Sequence, residues 1–349
     1  PPAAPQPRTD LFGDPLPDGA MLRLGTTRSR ADIAGFGIAA DGSIVTTSAA
    51  GEVGVWSLKG DRPADAGRLP VRASDEFDPR ATVSPDGRLL AANTRPERVV
   101  VWERAAGGFR EVASFAVPYA YVLRFSPDGT RLAAFHHGLR LCDLRTGRVH
   151  DLDGSGVEAV AFSGDGTRLA ATTGYGADLW DTRDGKRLAR YGTGRVRYTG
   201  VALNRAGTVL AVSPTWDPET VVFVDPMTGA AAPGLAGPAG FRCFWAHFAP
   251  DDRTVLLGDQ TGVTWWDPAA GRVVRWYEGA AHGWAGGRNH PARFSPDGRA
   301  LVGVSPRMLL RWDAGTGAPL LPAAHDGGHQ LDVGAAAASA DGRWVATGG

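Results

Sequence analysis

Three kinds of residue in this 349-residue chain could do chemistry: a glycine-rich stretch, scattered histidines and a recurrent aspartate. Gly154-Ser-Gly156-Val-Glu-Ala159 fits the GxGxxA pattern, in which glycines let a backbone approach a phosphate at a helix N-terminus. The segment leads into a strand pattern, and 48 glycines make such matches common, so it reads as a loop. Asp184-Gly-Lys186-Arg187 has no upstream glycine at P-loop spacing, and no G-x-S-x-G elbow is present. His136 with His137, His282 with His290, and His325 with His329 fall in expected loops. None has paired Cys/His spacing or sits in H-E-x-x-H, the patterns that hold zinc. Carboxylates recur chiefly in Asp-Gly and Trp-Asp pairs, where a turn accounts for them. No catalytic residue, metal site or cofactor is expected.

The elements that would position any such group come from a repeat. "RFSPDGTRLAA" from Arg124 is nearly copied by "AFSGDGTRLAA" from Ala161. Aligned on the turn, eight copies place Gly42, Gly87, Gly129, Gly166, Gly207, Asp252, Gly298 and Gly342 in one column, 37 to 46 residues apart. Ser-Pro-Asp-Gly puts Ser, Pro and Gly where a type I turn prefers them. Apolar residues alternate before it, as in Leu123 and Phe125, Val160 and Phe162, or Ala246 and Phe248, which means strand. A short apolar run follows, such as "RLAATT", suited to a strand buried on both faces.

A second signature comes after each hairpin: "VVVWER", "ADLWDT", "VTWWDP" and their relatives read as third strands ending in Trp-Asp or a degraded form of it. Asp-x-x-x-Gly then recurs five times, from Asp143, Asp181, Asp225, Asp267 and Asp313, as another turn before a more variable fourth strand. Four strands every ~43 residues is the sequence form of a propeller blade. On these residues the chain resembles the WD40-repeat β-propellers, in a degenerate bacterial form, over residues 21–349. Trp56, Trp102, Trp180, Trp266 and Trp312 match the family's Trp, and the five aspartates its Asp. The family's tight-turn Asp is mostly missing, and Gly-His is clear only at Gly328–His329, so its hydrogen-bonded tetrad cannot close in most blades. Packing between blades is expected to hold the wheel together.

The fold expected is therefore an all-β propeller of four-stranded antiparallel blades, with seven complete repeats and a partial eighth. Residues 1–20 read as a proline-rich linker, without the charged and apolar regions of a signal peptide. "MLRLGTT" from Met21 resembles a fourth strand, and "GAPLLPAAH" a fourth strand for the seventh set. The chain is then either part of a longer propeller protein or closes an eighth blade from 333–349 and the N-terminal strand.

Thirty-seven basic residues balance thirty-seven acidic ones, which argues against binding to nucleic acid or an anionic membrane through excess charge. No segment approaches the ~18 apolar residues of a spanning helix. The 35 Arg against Lys59 and Lys186 suggest a GC-rich bacterial source. Cys142 and Cys243 form no disulfide framework and fit a reducing, cytoplasmic setting.

What does not repeat points to function. In a propeller, the loops from fourth to first and from second to third strands gather on one face. Here they carry Phe77, Arg95, Tyr119, His137, Tyr175, Tyr198, Trp216, Arg242, Trp284, Arg288 and Arg307, the side-chain types that dominate interface hot spots. Trp216, in "SPTWDPET", is a large apolar side chain in a polar loop. The resemblance implies a non-catalytic scaffold that binds a protein or peptide, within a larger bacterial signalling protein. The alternatives are a quinoprotein-like enzymatic propeller, suggested by Thr-Gly at Thr146, Thr228 and Thr316 with a trailing Trp only at Trp276, and a TolB-like periplasmic propeller, which shares Ser-Pro-Asp-Gly but needs an export signal.

Overall fold

The computed structural model describes most of residues 81–278 and 292–320, together with strands at 35–38, 44–47, 52–56, 64–68, 335–338 and 345–348. Every regular element among them is a strand, so no helix is long and apolar enough to cross a membrane. The strands form successive antiparallel sheets in which chain neighbours are sheet neighbours. The fourth sheet is typical: Val160–Phe162, Arg168–Thr172, Ala177–Asp181 and Arg187–Tyr191.

The turns explain this regularity. In the third sheet the Ser126 carbonyl accepts the Gly129 N–H at 2.9 Å, and the Ser126 hydroxyl accepts the Arg131 N–H at 2.9 Å. That hydroxyl donates to Asp128 at 2.6 Å, and Gly129 takes φ 69°, a left-handed conformation open to glycine. Asn204 replaces the serine in the fifth sheet, its side-chain oxygen accepting the Thr208 and Val209 N–H groups, each at 2.8 Å. The Asp-x-x-x-Gly turns work similarly: Asp143 accepts the Arg145 and Thr146 N–H groups, and Gly147 donates back to the Asp143 carbonyl at 2.9 Å.

Side-chain alternation then gives every blade two faces with different neighbours. Leu123, Phe125, Leu132 and Ala134 of the third sheet pack on Ala91, Val99 and Val101 of the second. Val122, Ala133, Phe135 and Leu141 face the other way, onto Val160, Phe162, Leu169 and Trp180 of the fourth. Trp102, Trp180, Trp266 and Trp312 all pack backward, each within a cluster shared with the preceding sheet. Each fully buried Val, Leu or Phe contributes roughly 1.5–3 kcal/mol, and a sheet standing alone would expose both faces.

An all-β propeller of small antiparallel blades is thus shown, but the expected blade count is corrected. Six blades are delineated. Five sheets have four strands, and the fifth in order has three, its outer position held by a Val224–Ala231 bridge. Beyond these the chain adds a three-stranded sheet, Ala292–Phe294, Ala300–Ser305 and Met308–Asp313, and a two-stranded ladder, Ala335–Ala338 with Val345–Gly348. Most of the fourth strand expected from "GAPLLPAAH" lies outside the described residues. The Leu320 N–H donates to the Arg311 carbonyl at 3.0 Å. The linker, the Met21 strand and the closure of the ring lie outside the described residues.

Candidate functional site

Of the loop residues singled out, Phe77, Arg95, Tyr119, His137, Trp216, Arg242, Trp284, Arg288 and Arg307 lie outside the described residues. Tyr175 and Tyr198 are described, and they differ. Tyr175 is 55% exposed, on the loop between the second and third strands of the fourth blade. Tyr198 is 3% exposed and begins the inner strand of the fifth blade, its ring 5.9 Å from that of Tyr191. It is a core side chain and offers little surface to a partner.

The Tyr175 loop is tightly held. The Thr173 N–H donates to the Gly176 carbonyl at 2.8 Å, and Gly174 takes φ 67°. The Gly174 N–H reaches the Gly156 carbonyl at 3.3 Å, and the Gly174 carbonyl accepts the Tyr198 N–H at 3.2 Å. A side chain at Gly176 would lie 2.5 Å from the Tyr191 carbonyl, so the backbone must come this close. Beside it, Arg197 and Glu158 pair at 2.8 Å.

These contacts also dispose of the glycine-rich motif. The Glu158 and Ala159 N–H groups both donate to the Thr172 hydroxyl, at 2.9 and 3.0 Å, rather than standing open for a phosphate. Gly156 braces the Tyr175 loop. Among the described residues, no group of three or more His, Cys, Asp or Glu is placed to hold a metal ion.

A second group escaped the sequence reading. The inner strands of neighbouring blades touch one another: Gly35–Ile38 meets Ala81–Val83, which meets Val122–Phe125, and Val160–Phe162 meets Tyr198–Leu203, which meets Trp245–Phe248. They form the hub, around the central channel of a propeller. Two residues before the first residue of each turn (Ser126, Ala249 and Ser295), this strand carries Arg124 in the third blade, His247 in the sixth and Arg293 in the seventh sheet. Arg124 lies opposite Ala133, and His247 opposite Leu256, so both face the following blade. Arg124 crosses to that blade, donating through Nη1 to the Val160 carbonyl at 3.0 Å.

All three are half-buried and strongly desolvated. Burial brings the Arg293 pKa down to about 10. Burial first, and then the Arg293 charge, hold Arg124 well below the ordinary guanidinium range. Burial, followed by the charges of Arg124 and Arg293, pushes His247 down to about 3, so its imidazole is neutral at pH 7. Aligning the repeats on the turn serine could have found this column, since the other blades place Gly37, Thr82, Ala161 and Ala202 there.

No family model matches the chain, and no curated protein resembles it closely enough to register as a relative.

Proposed function

We propose that this chain is a non-catalytic interaction scaffold of degenerate WD40 type, whose variable loops on one propeller face bind a protein or peptide. The observation that carries this reading is Tyr175: an aromatic ring, 55% exposed, on a loop braced by backbone bonds to both Gly156 and Tyr198. A rigid aromatic of this kind loses little conformational freedom on binding. The WD40 assignment is supported by the buried Trp102, Trp180, Trp266 and Trp312 and by the aspartate-capped turns that follow Trp180, Trp266 and Trp312. Burial pushes the Cys142 thiol up to about 12, leaving it unreactive, and Cys243 is buried too; this suits the bacterial cytoplasm proposed as the setting.

The test compares capture of partners by the parent chain, by Tyr175→Ala and Trp216→Ala, and by Val149→Ala on the outer rim. The loop variants should keep stability within about 1 kcal/mol of the parent, as surface changes usually do. They should lose capture while the rim variant keeps it. Equal capture by all four proteins would overturn the reading.

A further inference from the structure

At the sixth blade the rim departs from its own pattern. The fourth strand there, Arg272–Glu278, leaves Val273 51% and Trp276 48% exposed. Val273 lies opposite Trp266 and Trp276 opposite Thr264, and a bulge between Trp265 and Trp266 keeps both on one face. Trp266 shares that face and packs with Phe223 and Ala232 of the fifth blade. At the register of Trp276 the second, third and fourth blades have Ser114, Asp151 and Arg190. At that of Val273 they have Glu111, Val149 and Arg187. Polar side chains suit an outer strand that meets water, whereas a half-exposed tryptophan beside a valine marks a contact surface.

The fifth blade accounts for the exposure. In the first and second blades the fourth strands, Ala64–Arg68 and Gly108–Ala116, touch one another. Among the described residues the fifth blade has no fourth strand to set against Trp276. After Ala232 its chain turns on Pro233 and Gly234, the latter at φ 72°, and the Leu235 N–H closes on the Ala232 carbonyl at 3.3 Å. Ala236 is then fastened to the sixth blade. Its N–H donates to the Pro268 carbonyl at 3.0 Å, and its carbonyl accepts Trp266 Nε1 at 2.8 Å. This strap seals the interface around Trp266 and leaves the two outer side chains half open. The strand beneath them is held firmly. Arg275 donates to the Thr316 and Gly315 carbonyls of the seventh sheet's turn, and the Tyr277 hydroxyl to the Ala314 carbonyl at 3.3 Å.

We propose that the rim between the fifth and sixth blades takes an extended strand from a partner polypeptide, laid over Val273 and Trp276 outside the strap, where a fourth strand of the fifth blade would lie. In this fold such a face is covered by the outer strand of the preceding blade, as the first and second blades show. Alternate residues of the incoming strand face the rim. These are apolar, because they meet Val273, Trp276 and a strap, residues 229–239, that carries no charge. The rim stands apart from the Tyr175 loop and does not depend on that loop binding a partner.

A fluorescein-labelled peptide with the sequence of Gly108–Ala116 is titrated with the full chain and followed by anisotropy. In its own blade this strand packs Ala113 and Phe115 in the cluster shared with the following blade, the role required here. Saturable binding is expected, and a peptide with serine at those two positions should not bind. Trp276→Ser and Val273→Asp should each weaken binding about tenfold or more, while Tyr175→Ala binds as the parent does. Both changes lie on the surface, and if one variant fails to fold the other decides. No binding by the parent, or undiminished binding by a folded rim variant, would overturn the proposal. So would a parent dimer, seen by sedimentation, that Trp276→Ser dissolves, since the face would then belong to a second copy.

Discussion

Asp252 shows what the turn position asks of a side chain. It takes φ 58° where the equivalent turns have glycine at 67° to 72°. Aspartate tolerates this region better than most residues. Its carboxylate also accepts the Arg205 N–H from the preceding blade's turn, a bond no glycine could make. His247 is a residue held in the opposite kind of tension. Its folded pKa of about 3 lies below the ordinary 6.5, chiefly through burial, with Arg124 and Arg293 adding to it. Between those values the unfolded chain binds a proton that the folded chain refuses, so stability is full above pH 6.5 and falls as the pH drops toward 3. The slope is at most about 1.4 kcal/mol per pH unit, less where channel water screens the group. Urea midpoints of the parent and His247→Gln from pH 7 to 4.5 should diverge as acid is added, the variant losing less. Parallel curves would refute a depressed His247.

At the scale of elements, the third and fourth strands of the fourth blade are joined by more than their ladder. Asp178 is fully buried and receives Arg190 at both carboxylate oxygens, at 2.6 and 2.7 Å, with Arg187 at 3.5 Å. A buried carboxylate that loses its partner is costly, while the arginine it loses is half-exposed. Arg190→Ala should therefore destabilise the chain by about 3 kcal/mol, the low end for breaking a buried pair. Arg190→Lys should recover only part of this, because a point charge cannot engage both oxygens. Chemical denaturation of the two variants measures the difference, and an unchanged midpoint in Arg190→Ala would show that Arg187 suffices.

At the scale of the whole molecule, stability resides in the interfaces between blades. Phe125 lies in the cluster joining the second and third sheets, beside Ala91, Val99 and Leu132. Phe125→Ala should cost roughly 3–5 kcal/mol, read as a lower thermal midpoint. The architecture was legible in the sequence because its signals are local. Gly129 must be glycine-like for a reason contained in four residues, and Trp180 follows its own turn at a set distance. The blade count was less legible. Most of the fourth strand expected of the seventh set, and the closure of the ring, lie outside the described residues. The loop face was read by residue type, which cannot tell exposed Tyr175 from Tyr198 packed against Tyr191. Arg124, His247 and Arg293 carry no motif at all; what unites them is a shared facing, defined only once blades stand side by side.

The backward packing of Trp102, Trp180, Trp266 and Trp312 gives the wheel a polarity. Each contact is head-to-tail, one blade's leading surface meeting the next one's trailing surface. Interfaces of that type end only by closing into a ring. An arc that stopped short would present two surfaces that fit each other, and a second molecule could dock there as readily as the missing blade.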